Sequence, residues 1–149
     1  MTAEAKTRPM EIILDWSEGL RFEARDEKGL KQALDGDAEA AFSPLEGLLA
    51  SLCACLAIDV VMVLQKMRQD LRGFSVQAQG ERRDEPPRYF RKIHLVFQLE
   101  GNLSQEKVDR AIDLSFDKYC SVLHSLREDL EVSRQVEIRT KPQRHRGPE

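Results

Sequence analysis

The chain has 149 residues, 41% of them hydrophobic and 33% charged, with 8 Gly and 6 Pro, which suits one core burying roughly 70% of the unfolded surface and excludes a disordered, collagen-like or disulfide-stapled chain. Its 23 basic and 26 acidic residues give a net charge of -3, so no surplus of positive charge is available for a nucleic-acid backbone or an anionic membrane, and neither is expected as a partner. Three cysteines are too few for a disulfide scaffold, and the odd count suits a reducing compartment; a cytoplasmic protein is expected.

Met1 to Pro9 carries Lys6 and Arg8 with no apolar stretch behind them, so it is read as a flexible N-terminus and not as a secretory signal. Ile12, Leu14 and Trp16, then Leu20, Phe22 and Ala24, alternate around Ser17-Glu18-Gly19, the pattern of a β-hairpin. Lys28-Gly29 makes a second turn before a short strand from Leu30 to Leu34. Ser43-Pro44-Leu45-Glu46 opens a helix, with Ser43 as N-cap, Pro44 at the first helical position and Glu46 completing a capping box. The helical pattern runs to about Leu71 and is closed by Arg72-Gly73. Its run Leu48 to Leu64 is apolar on nearly every side, interrupted by Ser51 and Asp59, and falls short of the roughly 20 residues of a membrane span. Such a helix must be surrounded, by sheets or by a second subunit.

Phe74, Val76, Ala78 and Gly80 alternate as a strand, and the charged loop Glu81 to Arg88 leads into a second, with Ile93, Leu95, Phe97 and Leu99. The basic residues around Pro86-Pro87 are interleaved with Asp84 and Glu85 and read as a solvated loop. Asn102-Leu103-Ser104 starts an amphipathic helix, in which Val108, Ala111, Ile112, Ser115, Tyr119, Val122, Leu123 and Leu126 recur at three and four. Val132, Val136 and Ile138 give a last strand, and residues 140–149 are read as a disordered tail. The order β-β-(β)-α-β-β-α-β predicts an α+β fold in a single domain over residues 10–139.

Cys53 and Cys55 on the long helix point roughly 200° apart, so they cannot bridge without unwinding it; an intramolecular disulfide must join Cys120 to one of them. Asp59, four residues after Cys55, is costly inside an apolar helix unless paired. Cys120 and His124 share a helical face, but zinc asks for four ligands, and neither a metal nor another cofactor is expected.

Ser43-Pro44-Leu45-Glu46-Gly47-Leu48-Leu49-Ala50, Cys55-Leu56-Ala57-Ile58-Asp59-Val60-Val61 and Lys118-Tyr119-Cys120-Ser121-Val122 resemble the signature segments of the OsmC/Ohr family of thiol peroxidases. The resemblance covers about residues 10–139 and implies an OsmC-like fold: an intertwined homodimer with two long helices packed between antiparallel sheets. It also implies a peroxiredoxin-like reduction of organic hydroperoxides in oxidative stress, with Cys55 as peroxidatic and Cys120 as resolving cysteine, and a lipoyl or thioredoxin-like dithiol as reductant. An arginine of the N-terminal strands would contact the thiolate, Arg21 being the best match and Arg25 the second, and Glu46 would hold it. Leu48, Leu52 and Leu56, if they line the pocket, would suit alkyl or lipid hydroperoxides. Cys53 is extra and reads as packing. Two features depart from the family pattern. Leu45 follows Pro44 where relatives place the glutamate, which puts Glu46 about 100° further round the helix, and Asp37 to Phe42 replaces a Gly-rich loop. These departures favour the alternative of a non-catalytic OsmC-like dimer that binds a hydrophobic small molecule.

Overall fold

In the computed structural model the described residues are 7–140, so Met1 to Lys6 of the expected flexible N-terminus and residues 141–149 of the expected tail lie outside them. Within the span read as one domain the chain divides into two compact units, one ending at Leu48 and the other starting at Leu49.

The first unit holds an antiparallel sheet in the order β1-β2-β3, formed by Ile13–Glu18, Arg21–Arg25 and Lys31–Asp35. Leu14 pairs with Ala24 and Trp16 with Phe22, and Leu34 stands opposite Phe22, so the alternation places these apolar side chains on one face, as the pattern predicts. The hairpin tip is Gly19-Leu20, one residue later than the sequence suggests. A bulge between Trp16 and Glu18 takes up the extra residue, and Gly19 has φ +54, a conformation that glycine enters at little cost. At the end of β3, the buried Asp35 carboxylate accepts backbone N–H groups from Asp37 at 2.9 Å, Glu39 at 3.3 Å and Ala40 at 3.0 Å. Those bonds, with the nearby Arg21 charge, hold its pKa below the ordinary carboxylate value, and they shape the loop that replaces the expected Gly-rich one.

Helix α1, Pro44–Lys66, begins in this unit and continues into the other. Its start is the predicted capping box: the Ser43 N–H donates to Glu46 Oε1 at 3.0 Å and the Glu46 N–H to Ser43 Oγ at 3.2 Å. Its end differs from the expected Leu71. Arg68, at φ +56, takes the left-handed position that glycine usually fills. The Gln69 N–H reaches Leu64 O at 2.9 Å and the Arg68 N–H reaches Gln65 O at 3.0 Å, the two bonds of a Schellman stop. Leu71 and Arg72 belong instead to the next strand. By length and composition the 23-residue helix is apolar enough to cross a membrane, which corrects the shorter reading of its apolar run. Leu52, Leu56, Val60 and Leu64, however, are all 0% exposed inside the second unit, as in a core helix. Ile58 and Met62 remain more than half exposed.

The second unit contains a sheet in the order β4-β5-β6, formed by Asp70–Arg82, Phe90–Asn102 and Glu131–Arg139. The hairpin is longer than its apolar alternation, because backbone pairing from Asp70↔Asn102 to Arg82↔Phe90 continues through polar residues. Strand β6 pairs with β5 in parallel, unlike the antiparallel pairing expected throughout, since the intervening helical segment carries the chain back along the sheet. Ile93, Leu95, Phe97 and Leu99 of β5, Val108, Ala111 and Ile112 of helix α2 (Gln105–Leu114) and the buried stripe of α1 make up the core. The arginines of the 82–88 loop serve the loop itself: Arg82 Nε donates to Arg88 O and Arg88 Nε to Arg83 O.

The predicted second long helix is broken. After α2, Ser115–Tyr119 forms a π-helical turn, Cys120 is extended, and α3 is the single turn Ser121–His124. The apolar residues still recur at three and four, but the wider turn shifts their phase. Phe116 of this turn packs edge-on against Phe97 and lies under the Arg134 guanidinium, whose other partner is Asp113.

Leu56→Ala is expected to cost about 2–5 kcal/mol of unfolding free energy, since it leaves a cavity in this core. Urea denaturation followed by far-ultraviolet circular dichroism measures it, and a loss below 1 kcal/mol (about half the lower bound) would count against the packing described.

Candidate active site

Cys55 and Asp59 sit one turn apart on α1 and therefore share a face. Cys120 enters from the second helical segment, at the break between the π turn and α3. There its N–H donates to Ser115 O at 2.8 Å, and its Sγ accepts from the Leu123 N–H at 3.3 Å. The two sulfurs and a carboxylate oxygen of Asp59 lie within 4.8 Å of one another. Asp59, the one acid of the apolar run, is held by a hydrogen bond from the buried Ser115 Oγ at 2.9 Å, and the same hydroxyl lies 3.4 Å from Leu56 O.

The electrostatics of the cluster disfavour a second negative charge. Burial pushes the Cys120 thiol up to about 11, and the hydrogen bond with Cys55 and the charge of Asp59 act in the same direction against the Leu123 N–H. Cys120 is thus almost wholly protonated at neutral pH. Burial also raises the Cys53 thiol.

A cavity of about 470 Å³ reaches Asp59. Its apolar walls are Met62, Val63, Met67 and Leu114, with Tyr119 beside them, and Lys66 and Arg110 supply positive charge. Leu52 and Leu56 do not line this cavity; both are fully buried in the core.

The other expected site residues belong to the first unit. Arg21 stands opposite Asp35 across the β2–β3 pair, with its Nε 3.6 Å from Asp35 Oδ2 and its Nη1 3.5 Å from Glu18 Oε1. Arg25 pairs with Asp15. Glu46 spends a carboxylate oxygen on the Ser43 N–H, and among the described residues the acidic partners of Arg21 are Glu18 and Asp35. His124, weighed with Cys120 as a metal ligand, instead places Nε2 at 2.9 Å from Phe116 O.

The structure therefore brings Cys55 and Cys120 together and adds Asp59 and Ser115, whose pairing the sequence reading missed. The signal was a lone acid on one apolar helix and a lone serine on the buried face of the next, each costly unless it met the other.

The mixed α+β architecture, with two sheets and a long apolar helix, is that of OsmC-like proteins. The family's sequence model, described as OsmC-like protein, matches residues 35–134. The chain is 40% identical over 131 residues to Protein YhfA of Escherichia coli K12, covering 87% of this chain and 98% of that protein. The chain belongs to the OsmC-like family. Among solved structures, a hypothetical protein from Aquifex aeolicus VF5 is similar at 25% identity and TM-score 0.83, over 91% of this chain and 99% of its own. The organic hydroperoxide resistance protein OhrB of Bacillus subtilis shares the fold at 13% identity and TM-score 0.60, over 89% of this chain and 98% of its own.

Two measurements check the site. Ser115→Ala leaves the Asp59 carboxylate without its hydroxyl donor and is expected to cost about 1.5–3 kcal/mol in urea denaturation; a neutral result would remove the pair from the energetics. The ultraviolet thiolate absorbance, compared between the protein and Cys120→Ser across pH, should show the Cys120 step near pH 11, moved to lower pH by Asp59→Asn. Because the folded-state pKa is raised, the stability from this group is full below the unfolded value, near 8.5–9, and is lost as pH rises towards 11.

Proposed function

We propose that this protein is a cytoplasmic, homodimeric thiol peroxidase that reduces organic hydroperoxides in a redox stress response. The observation that carries the reading is the meeting of Cys55 and Cys120, two thiols from separate helical elements, within 4.8 Å. The Cys55 thiolate attacks the outer oxygen of the O–O bond and becomes a sulfenic acid, and the departing alkoxide takes a proton from solvent to leave as the alcohol. Cys120 then displaces hydroxide from that sulfur, giving the Cys55–Cys120 disulfide and water. Its high pKa means that the proton must be taken as the bond forms, and Asp59 is the carboxylate placed to take it and pass it to the departing hydroxide. A dithiol of the lipoyl or thioredoxin type restores both thiols by exchange. Arg21, already oriented by Asp35, is assigned as the cation for the Cys55 thiolate on the family resemblance, and Glu46 supports this assignment only as the cap of α1. The cavity beside Asp59 supports an organic rather than a bare peroxide, through its apolar walls.

The second reading, a non-catalytic dimer that holds a hydrophobic molecule, is favoured by a different observation: the charged neighbour of the thiols within the second unit is the anion Asp59.

One equivalent of cumene hydroperoxide should remove the mass of two hydrogens within seconds and yield a Cys55–Cys120 peptide on non-reducing mapping, reversed by dihydrolipoamide. Cys55→Ser should abolish the reaction, Cys120→Ser should stop it at the sulfenic acid, and Asp59→Asn should slow disulfide formation by about 100-fold or more. Thiols that survive the treatment would leave the binding reading. Ile58 and Met62, exposed on α1, are what a second copy would cover, so light scattering should give a dimer and Ile58→Asp a monomer; a monomeric wild type would end the dimer proposal.

A further inference from the structure

We propose that Cys55, Asp59 and Cys120, in the dithiol state, form a binding site for one zinc ion. Three donors of the types zinc prefers, two sulfurs and a carboxylate oxygen, already converge within 4.8 Å. They come from rigid elements, two from successive turns of α1 and one from the N-cap of α3, so closing around an ion requires side-chain torsion and no unwinding. In a tetrahedral site with Zn–S near 2.3 Å and Zn–O near 2.0 Å, ligand atoms stand roughly 3.5–3.8 Å apart. The donors must therefore draw in by about 1.3 Å at most.

The surroundings suit the charge. The Ser115 hydroxyl holds Oδ2 of Asp59 at 2.9 Å, which fixes the carboxylate and leaves its other oxygen for the metal, the outer-shell arrangement that metal sites use. The Leu123 N–H on Cys120 Sγ stabilises a bound thiolate. Without a cation, deprotonating both thiols would gather three negative charges in a half-buried cluster; with zinc the same set carries a net charge of about -1. The cavity beside the cluster is lined by Asp59 among the three donors, and a water would complete the fourth position. The ligand set is not the Cys120–His124 pair suggested by helical spacing, because His124 is committed to Phe116 O.

Binding exchanges about two thiol protons for the ion. Oxidation reverses it: the two zinc thiolates give two electrons to the O–O bond of an organic hydroperoxide, two protons are taken up, and the products are the disulfide, the alcohol, water and free zinc. This release by hydroperoxide rests on the peroxidase reading, whereas zinc binding does not.

The test uses the full chain, reduced and stripped of metal, titrated with zinc against a chromophoric chelator. One ion per chain is expected, with Kd below about 1 µM, and cobalt in its place should give a thiolate charge-transfer band. Cys55→Ser, Cys120→Ser and Asp59→Asn should weaken zinc by about 100-fold or more, while Cys53→Ser and His124→Ala should not. Circular dichroism checks that each variant folds, and wild type oxidised by diamide, which keeps its native sequence, should bind no zinc. Absence of stoichiometric binding by the folded, reduced protein, or binding that survives Asp59→Asn and diamide, would overturn the site. Zinc that is expelled by diamide and not by cumene hydroperoxide would keep the site and remove the peroxidase reading.

Discussion

The arrangement of the second unit depends on Ser115, which performs two tasks from one residue. Its hydroxyl donates to Asp59 on α1, and its carbonyl accepts the N–H of Cys120. The first bond satisfies the acid in an otherwise apolar run; a hydrogen bond to a charged acceptor is worth about 1.5–3 kcal/mol, and leaving that acceptor bare would cost at least as much. The second bond closes the π turn and sets where the chain departs for α3. The position of Cys120 relative to α1 is thus fixed through a single side chain and its own peptide. A regular α-helix through 115–124 would carry residue 120 on around the axis, away from the direction that the turn imposes.

This constraint shapes the chemistry as well as the fold. Burial, with Cys55 and the half-buried Asp59 carboxylate adding to it, favours the protonated form of Cys120, which under the proposed peroxidase reading suits a second nucleophile better than a first one. The division of labour proposed for Cys55 and Cys120 agrees with their burial, 0% exposure for Cys120 against partial exposure for Cys55. Cys53, on another side of α1, has no comparable geometry and remains a packing residue with a raised pKa.

Much of the fold was legible because it follows from local rules. The capping box at Ser43, the alternation of Ile93 to Leu99 and the N-cap at Ser104 each involve residues within a few positions, where spacing and hydrogen-bonding capacity decide the outcome. What was not legible came from longer-range competition. Leu71 and Arg72 satisfy a helical pattern, yet pairing along β5 claims them and Arg68 accepts a left-handed conformation to end α1 early. The π turn is invisible to periodicity, since one extra residue per turn leaves the apolar recurrence nearly intact. In the site, the approach of Cys55 to Cys120 followed the family resemblance, whereas Asp59 with Ser115 required knowing which faces of two helical segments meet. Glu46 was legible as the capping-box residue, a local role that its Oε1 fills by accepting the Ser43 N–H.

Three groups that can each become an anion, placed within 4.8 Å, create a demand for positive charge that the reduced state must meet or avoid. Protonation avoids it and keeps the thiols quiet. A guanidinium would meet it at one thiolate, the role proposed for Arg21, which in the first unit pairs with Asp35 and Glu18. A divalent ion meets it for both sulfurs at once and shields them until an oxidant removes the thiolates that hold it. Asp59 is common to all three solutions: it raises the cost of a bare Cys120 thiolate, and in the two proposals it would take the proton of a reacting thiol and supply the hard ligand to a metal. Replacing it by a neutral amide of the same size therefore separates the charge from the shape of the site, because Asn keeps the Ser115 hydrogen bond available while withdrawing the anion on which each solution turns.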